Sequence, residues 1–280
     1  MKVKNHRLYG DDGRAVAFDA TPNKSSRGLT GGKPKFVIIH YTAGGSARSA
    51  INTFNNKKSQ ASAHIVMGHD GAITQMARFN ERCWHAGRSE WGSINGLNSH
   101  SVGIEIANWG PLMGEVGNWK SWVGTSVPDN RVLRAKHKNE NTRRGWEVYD
   151  PEQVESCVSM VRAIADAYGL GPDDILGHDD ISPGRKTDPG PAWDMKRFRA
   201  SVFGRKVDTP RPKATYRVIA QNGLNMRDAG SISGNKIDLL PHGTELEKIE
   251  ESGSWWLVSK VVNGEPDESG WVHSRYVQRA

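Results

Sequence analysis

The segment Gly177-His178-Asp179-Asp180-Ile181-Ser182-Pro183-Gly184-Arg185-Lys186-Thr187-Asp188-Pro189-Gly190 gathers a histidine, a lysine and aspartates in a short stretch broken by glycine and proline. Far upstream, the apolar run Phe36-Val37-Ile38-Ile39 ends on His40-Tyr41-Thr42. Two histidines and a carboxylate make a three-ligand zinc set. Three protein ligands leave a fourth position for water, which is the pattern of a catalytic rather than a structural site. Lys186 stands two residues before Asp188. In an extended segment both side chains point to the same side, which puts a cation beside such a metal.

Glu105 lies in the otherwise apolar run Val102-Gly103-Ile104-Glu105-Ile106. A carboxylate there is costly unless it is paired or functional. Strand alternation turns it to the face opposite Ile104 and Ile106. On its own it reads rather as an exposed glutamate on the polar side of an edge strand.

These residues need a scaffold. Lys35 to Thr42 reads as a buried strand, Ser46 to Lys58 as a helix, and Ser101 to Ala107 as a second strand. Ala63 to Met67 and Ala72 to Met76 flank His69-Asp70-Gly71, whose Asp-Gly pair signals a hairpin turn. Asp150-Pro151-Glu152-Gln153 carries a capping-box pattern with proline at the first helical position. Val154, Cys157, Val158, Val161, Ala165 and Tyr168 then recur on one helical face. Trp193 to Phe203 reads as a last short helix. The fold class is therefore α/β, a mixed central sheet with flanking helices, over residues 1–204.

Between Asn108 and Asp150 both periodicities fail. This insertion, 109–149, carries Trp119, Trp122 and Trp146 and a basic stretch from Arg131 to Arg144. It can wall a substrate groove or pack its tryptophans on the body. Residues 205–213, with two prolines and several Lys/Arg, read as a semi-rigid linker. From 214 to 280 short strands alternate with Gly, Pro and Asn turns, a small all-β barrel. Trp255 and Trp256 are adjacent, so in one strand they face opposite ways. One can enter the barrel core, and the other is a ligand platform or is covered by another part of the chain.

The 280 residues are 36% hydrophobic and 25% charged, a globular composition. No apolar run approaches the ~18 residues of a membrane span. No apolar stretch follows the basic start Met1-Lys2-Val3-Lys4, so no Sec-type signal peptide is expected. The net charge of +7 suits a polyanionic partner, nucleic acid or a bacterial wall, or simply a basic soluble protein. No nucleic-acid-binding motif is present, and a monomer is expected. Two cysteines make no disulfide framework. Cys157 reads as core, and Cys83 has no partner at zinc-finger spacing. His69, His100 and His137 read as surface residues.

Five motifs in order resemble the zinc-dependent N-acetylmuramoyl-L-alanine amidases, which share a fold with phage T7 lysozyme and the peptidoglycan recognition proteins. They are Ile39-His40-Tyr41-Thr42-Ala43, Ala63-His64-Ile65-Val66 with His69-Asp70-Gly71, Cys83-Trp84-His85-Ala86-Gly87, Val102 to Asn108, and the His178 to Asp188 loop. The resemblance implies one catalytic Zn²⁺ held by His40, His178 and Asp188. It implies Glu105 as general base and Lys186 as stabiliser of the oxyanion. Some relatives carry cysteine at the third ligand position, and those of the recognition-protein type carry a tyrosine where this chain has Ala63. His64, Trp84, His85 and Asn108 are its candidate substrate contacts. The tail, through Leu224-Asn225-Met226-Arg227, Trp255-Trp256-Leu257-Val258 and Gly270-Trp271-Val272-His273 to Tyr276, resembles a bacterial SH3 (SH3b) domain. Many such domains bind cell walls, with Trp255 and Trp256 as the candidate contacts here.

Together these imply a peptidoglycan hydrolase that cuts the amide between N-acetylmuramic acid and L-alanine. A phage or prophage endolysin, made in the cytoplasm and released to the wall by a holin, fits the appended module. A bacterial autolysin or wall-recycling amidase is the alternative, and a non-catalytic peptidoglycan receptor is the rival outside the enzymes.

Overall fold

A computed structural model describes residues 1–204 and 215–280, so the linker expected at 205–213 lies outside the described residues. The chain forms two compact units. The first comprises Met1–Gly110, Tyr149–Gly190 and Phe198–Arg205. Its sheet holds six strands: β1 (Ala17–Phe18), β2 (Phe36–Tyr41), β3 (Ile65–Met67), β4 (Ile73–Gln75), β5 (Ser101–Ile106) and β6 (Ile175–Gly177). The order is β6-β2-β5-β3-β4-β1. β6, β2, β5 and β3 run parallel, and β3 pairs antiparallel with β4. Phe36 to Ile39 are all buried. That continuous apolar run is what a strand covered on both faces requires.

Helix α1 (Ala47–Asn55) starts where Ser46 Oγ accepts from the Ser49 amide. Its Ala50, Ile51 and Phe54 pack with Ala63, Val66 and Met76. It ends before Lys58 because the Asn56 side chain accepts the Lys58 amide and opens a 3-10 turn. The β3–β4 turn needs glycine at 71, where φ is +73° and a Cβ would lie 2.6 Å from the Glu152 carbonyl oxygen. Helix α2 (Pro151–Tyr168) has the expected Asp150–Gln153 capping box. Its buried face differs from the apolar pattern. Gln153 is buried because its amide donates to the Ala107 carbonyl at 2.8 Å, while Val154 is exposed. The face is centred instead on Cys157, Met160, Val161 and Ile164. After β6 comes a single turn, α3 (His178–Ile181), and then α4 (Met195–Phe203), which buries Phe198 and Val202. Both cysteines are free and buried, and burial pushes the Cys83 thiol up to about 12, which makes it unreactive.

The second unit comprises Pro111–Val148, Pro191–Arg197 and Lys206–Ala280. The insertion thus clusters with the tail rather than with the residues that flank it. It holds a three-stranded antiparallel sheet of Pro111–Leu112, Arg143–Glu147 and Val132–Lys136, and a hairpin of Trp119–Lys120 with Ser126–Val127. Strands of two to five residues are too short for an alternating pattern to register. Trp119 and Trp146 are buried and Trp122 is exposed. His137 is buried too, against the surface position expected for it, because its ring stacks on Trp146 at 5.7 Å between centroids.

The tail is a seven-stranded antiparallel sheet over Thr215 to Arg279, around a core of Val218, Leu224, Met226, Leu240, Leu246, Val258 and Val272. Trp256 packs against that core, edge-on to Tyr216 at 4.9 Å. Polar bonds join insertion and tail. Arg143 donates to both carboxylate oxygens of Asp267, at 2.5 and 2.7 Å. The fully buried Lys260 ammonium donates to the Arg134 carbonyl at 2.5 Å and to Asp238 at 2.9 Å.

Candidate active site

Parallel strands end together, and crevices at their carboxyl ends are where α/β sheets bind ligands. His40 is the penultimate residue of β2, and Glu105 that of β5. They are register partners, so both side chains leave the same face side by side. His178 follows β6, which pairs with β2 through Gly177 and Ile39. The loop after α3 brings back Asp188, pinned where its carbonyl accepts the Asp179 amide at 2.8 Å. Tyr149 donates to the Pro189 carbonyl at 2.8 Å, and Tyr41 and Thr187 share a hydroxyl–hydroxyl bond of 2.6 Å.

His40, His178 and Asp188 are buried, and one donor atom from each converges. The His40 Nδ1–Asp188 Oδ2 distance is 2.7 Å, His178 Nδ1–Asp188 Oδ2 is 2.9 Å, and the two Nδ1 atoms are 3.0 Å apart. The proton positions follow from the bonds behind the site. Ser101 Oγ donates its only proton to the Leu97 carbonyl at 2.6 Å. It must therefore accept from His85 Nε2 at 3.3 Å. A neutral His85 then has a bare Nδ1, which accepts from His40 Nε2 at 3.0 Å. A neutral His40 is left with a lone pair on Nδ1, facing the site. His178 Nε2 likewise donates to the Ala86 carbonyl at 3.0 Å, which leaves its Nδ1 bare as well. Three lone-pair atoms in mutual contact repel unless a cation lies among them. Two imidazoles and a carboxylate suit zinc, and backed histidines with fixed tautomers are what metal sites use.

Electrostatics agree with this assignment. Burial, then the neighbouring His178, lowers His40 to about 4, so it stays neutral at physiological pH. Burial and the adjoining histidines hold His85 well below the usual imidazole value. Burial alone would raise Asp188, but the His178 and His40 rings beside it hold it far below the usual carboxylate range. Glu105 moves the other way. Burial, then the Asp188 charge, pushes it well above an ordinary glutamate, against the pull of Lys186. Lys186, half-buried, is thus close enough to Glu105 and His40 to act on both.

The candidate substrate contacts fall differently. His64 is fully buried; its Nε2 donates to the Glu81 carbonyl at 2.9 Å and its Nδ1 accepts the Gly103 amide at 3.1 Å. Asn108 is buried, with its Oδ1 accepting the Gly110 amide at 2.7 Å. His85 stands behind a candidate metal ligand rather than in front of it. Of the four, only Trp84 is not buried, and its Nε1 donates to Ser25 Oγ at 2.9 Å.

The sequence reading misses this backing layer: His85, the Ala86 carbonyl, Ser101 and Arg185, whose guanidinium donates to the Ala86 carbonyl at 2.8 Å. One signal for it was present. Gly103 interrupts an apolar strand, and glycine there marks a close approach. A Cβ at 103 would lie 2.4 Å from the His85 ring.

Comparison with known proteins agrees with the geometry. A family model described as N-acetylmuramoyl-L-alanine amidase matches residues 30–191, and one described as bacterial SH3 domain matches 222–278. The chain is 27% identical over 215 residues to the N-acetylmuramoyl-L-alanine amidase AmiD of Escherichia coli, covering 69% of this chain and 67% of AmiD. It is 31% identical over 143 residues to the 1,6-anhydro-N-acetylmuramyl-L-alanine amidase AmpD of the same species, covering 51% of this chain and 59% of AmpD. A solved AmpD structure, 21% identical, shares the fold at a TM-score of 0.50 over 72% of this chain and 99% of that one. With a family match spanning more than half its length, the chain belongs to the zinc-dependent N-acetylmuramoyl-L-alanine amidases and carries a bacterial SH3 domain C-terminal to the amidase match.

Proposed function

We propose that this enzyme hydrolyses the amide between the lactyl group of N-acetylmuramic acid and L-alanine, with one zinc ion held by His40, His178 and Asp188. The observation that carries the reading is the convergence of those three donors beside Glu105, on adjacent parallel strands. Zinc, when bound, supplies a Lewis acid that polarises the amide carbonyl. The chain's own groups do the rest. The Glu105 carboxylate takes a proton from the attacking water, and its raised affinity for protons suits it to hold that proton and return it to the leaving nitrogen. The Lys186 ammonium opposes the charge that develops on the former carbonyl oxygen. His40 and His178 keep their Nδ1 atoms bare through the bonds behind them.

We assign the enzyme to intact wall, as a phage or prophage endolysin acts, with the SH3 module as its wall-binding part. A module that holds insoluble polymer raises local enzyme concentration only on that polymer, and it is of little use on freed fragments. A recycling role on anhydromuropeptides is the second reading, favoured by the names of the AmpD relatives. Digestion of intact sacculi and of soluble anhydromuropeptide, with products read by mass spectrometry, tests both. Sacculi should yield sugars separated from intact peptides, and chelation should abolish this until Zn²⁺ is restored. Cleavage confined to the soluble fragment favours recycling. Binding without any cleavage by the zinc-loaded enzyme overturns the enzyme assignment in favour of a receptor.

A further inference from the structure

In the second unit most described cations in or near the sheets have a carboxylate partner. Arg143 pairs with Asp267, Arg134 with Glu268, Arg197 and Arg217 with Glu245, Lys236 with Asp129 and Lys260 with Asp238. Arg227 and Arg275 do not. The Arg227 guanidinium donates only to the Gly234 carbonyl, at 2.6 Å. The exposed Arg275 side chain has no hydrogen-bond or ion-pair partner among the described residues. Both line the same cavity of about 650 Å³ in the tail.

The rest of the lining is aromatic, amide and aliphatic, the last from Ala220, Leu224 and Ile232. Trp255, His273 and Tyr276 form a ladder of edge-to-face rings, with centroids 5.3 and 5.9 Å apart. Gln221, Asn222 and Asn225 add side-chain amides, and no acidic residue lines the cavity. Strand alternation explains why Trp255 is here. Trp256 turns to the barrel core, so its neighbour must face outward.

We propose that this cavity binds a short peptide bearing free carboxylates, namely the stem peptide of peptidoglycan, an inference that rests on the wall-hydrolase reading. Guanidinium groups without a carboxylate partner call for one, which they bind with charge-assisted hydrogen bonds. Side-chain amides match the donors and acceptors of peptide bonds, and ring faces match their flat planes and apolar side chains. An uncharged glycan leaves both arginines unanswered. A phosphate polymer gains nothing from the rings and would need a longer row of cations.

The test uses the full-length protein and a synthetic stem peptide without sugar, which offers no muramyl amide to cut. Calorimetric titration should detect binding that weakens with salt. Arg275→Ala and Trp255→Ala should each weaken it tenfold or more, as should converting the peptide's carboxylates to carboxamides. Arg275 is exposed, so its replacement leaves the fold intact, and the carboxamide peptide tests the same contact without any mutation. Binding unchanged in both variants, or chitooligosaccharide or polyphosphate bound instead and lost in them, overturns the proposal. Cleavage of a soluble muropeptide by the wild-type sample is followed alongside. Failure of the amidase reading appears there, and failure of the cavity assignment appears in the titration.

Discussion

His85 and Glu105 show how much a residue's role depends on what stands behind it. The residue types of His40, His178 and Asp188 already suggest a candidate metal site in the sequence, because few other reasons bring such groups together. His85 is equally visible there but reads as a substrate contact, since sequence carries no direction for a ring. Only the fold shows its imidazole lying over Gly103 and holding His40 Nε2. Replacing His85 with phenylalanine keeps a ring but removes the acceptor. Zinc affinity, measured by competition with a chelator, should fall roughly 10- to 100-fold, with the circular dichroism spectrum unchanged. Unaltered affinity would return His85 to a packing role. Glu105 carries the opposite signature, a group the fold holds at a cost. Glu105→Gln should lower turnover about 10²–10⁴-fold with zinc still bound. The folded protein raises this carboxyl above its unfolded value, so its burial weakens the fold increasingly as pH climbs from the ordinary glutamate range through the raised value. Metal-free Glu105→Gln should therefore melt higher than wild type at neutral pH. The gain should shrink towards pH 4, where both states carry the proton. A gain independent of pH would mean that ionisation is not its source.

Elements were legible where one principle governs them. β2 is a continuous apolar run covered on both faces, and α2 begins at an unambiguous capping box. The register that sets His40 beside Glu105 was not legible, because pairing between strands far apart in sequence leaves no local trace. The face of α2 was misjudged at Val154 because a buried glutamine with a carbonyl to satisfy outranks an apolar residue there. The strands of the insertion fell below the length at which alternation is readable. Lys260 is the sharpest case. Nothing in the run Trp255 to Val261 singles it out, yet it is fully buried between Asp238 and the Arg134 carbonyl. Removing Asp238 takes from this buried ammonium its hydrogen-bonded carboxylate and leaves only Glu268 and Asp267, at 3.7 and 3.9 Å; breaking a buried pair costs up to about 3–5 kcal/mol. Asp238→Ala should lower the denaturation midpoint of the second unit accordingly. Replacing Asp238 and Lys260 together with leucine and methionine should recover most of the loss. A loss within about 0.5 kcal/mol for the single variant would fit a weak surface pair and not the buried one described.

At the scale of the whole molecule, the sequence suggests an amidase, a spacer and a separable tail, whereas the described structure parts the chain less simply. The insertion interrupts the amidase sequence, so by position it belongs there. By contact, Pro111–Val148 clusters with the tail. Several bonds make that union: the paired Arg143–Asp267 bonds, Lys260 to the Arg134 carbonyl, and Arg134 to the Ile237 carbonyl at 2.7 Å. Hydrogen bonds to charged groups contribute about 1.5–3 kcal/mol each, so a handful can hold two segments without a covalent link. We therefore expect that cutting the chain at a protease site placed between Gly204 and Thr215 does not release the tail. The two fragments should co-elute in size-exclusion chromatography at micromolar concentration, and high salt should loosen them. Arg143→Ala should let the tail separate after cutting, while the uncut variant still elutes as one folded chain. If the tail of the cut wild-type protein runs alone, the insertion is an accessory of the amidase domain, and the module is separable at its spacer. If the fragments stay together, residues 111–148 and the tail form one folded unit, and truncation before residue 205 removes half of that unit rather than an appendage.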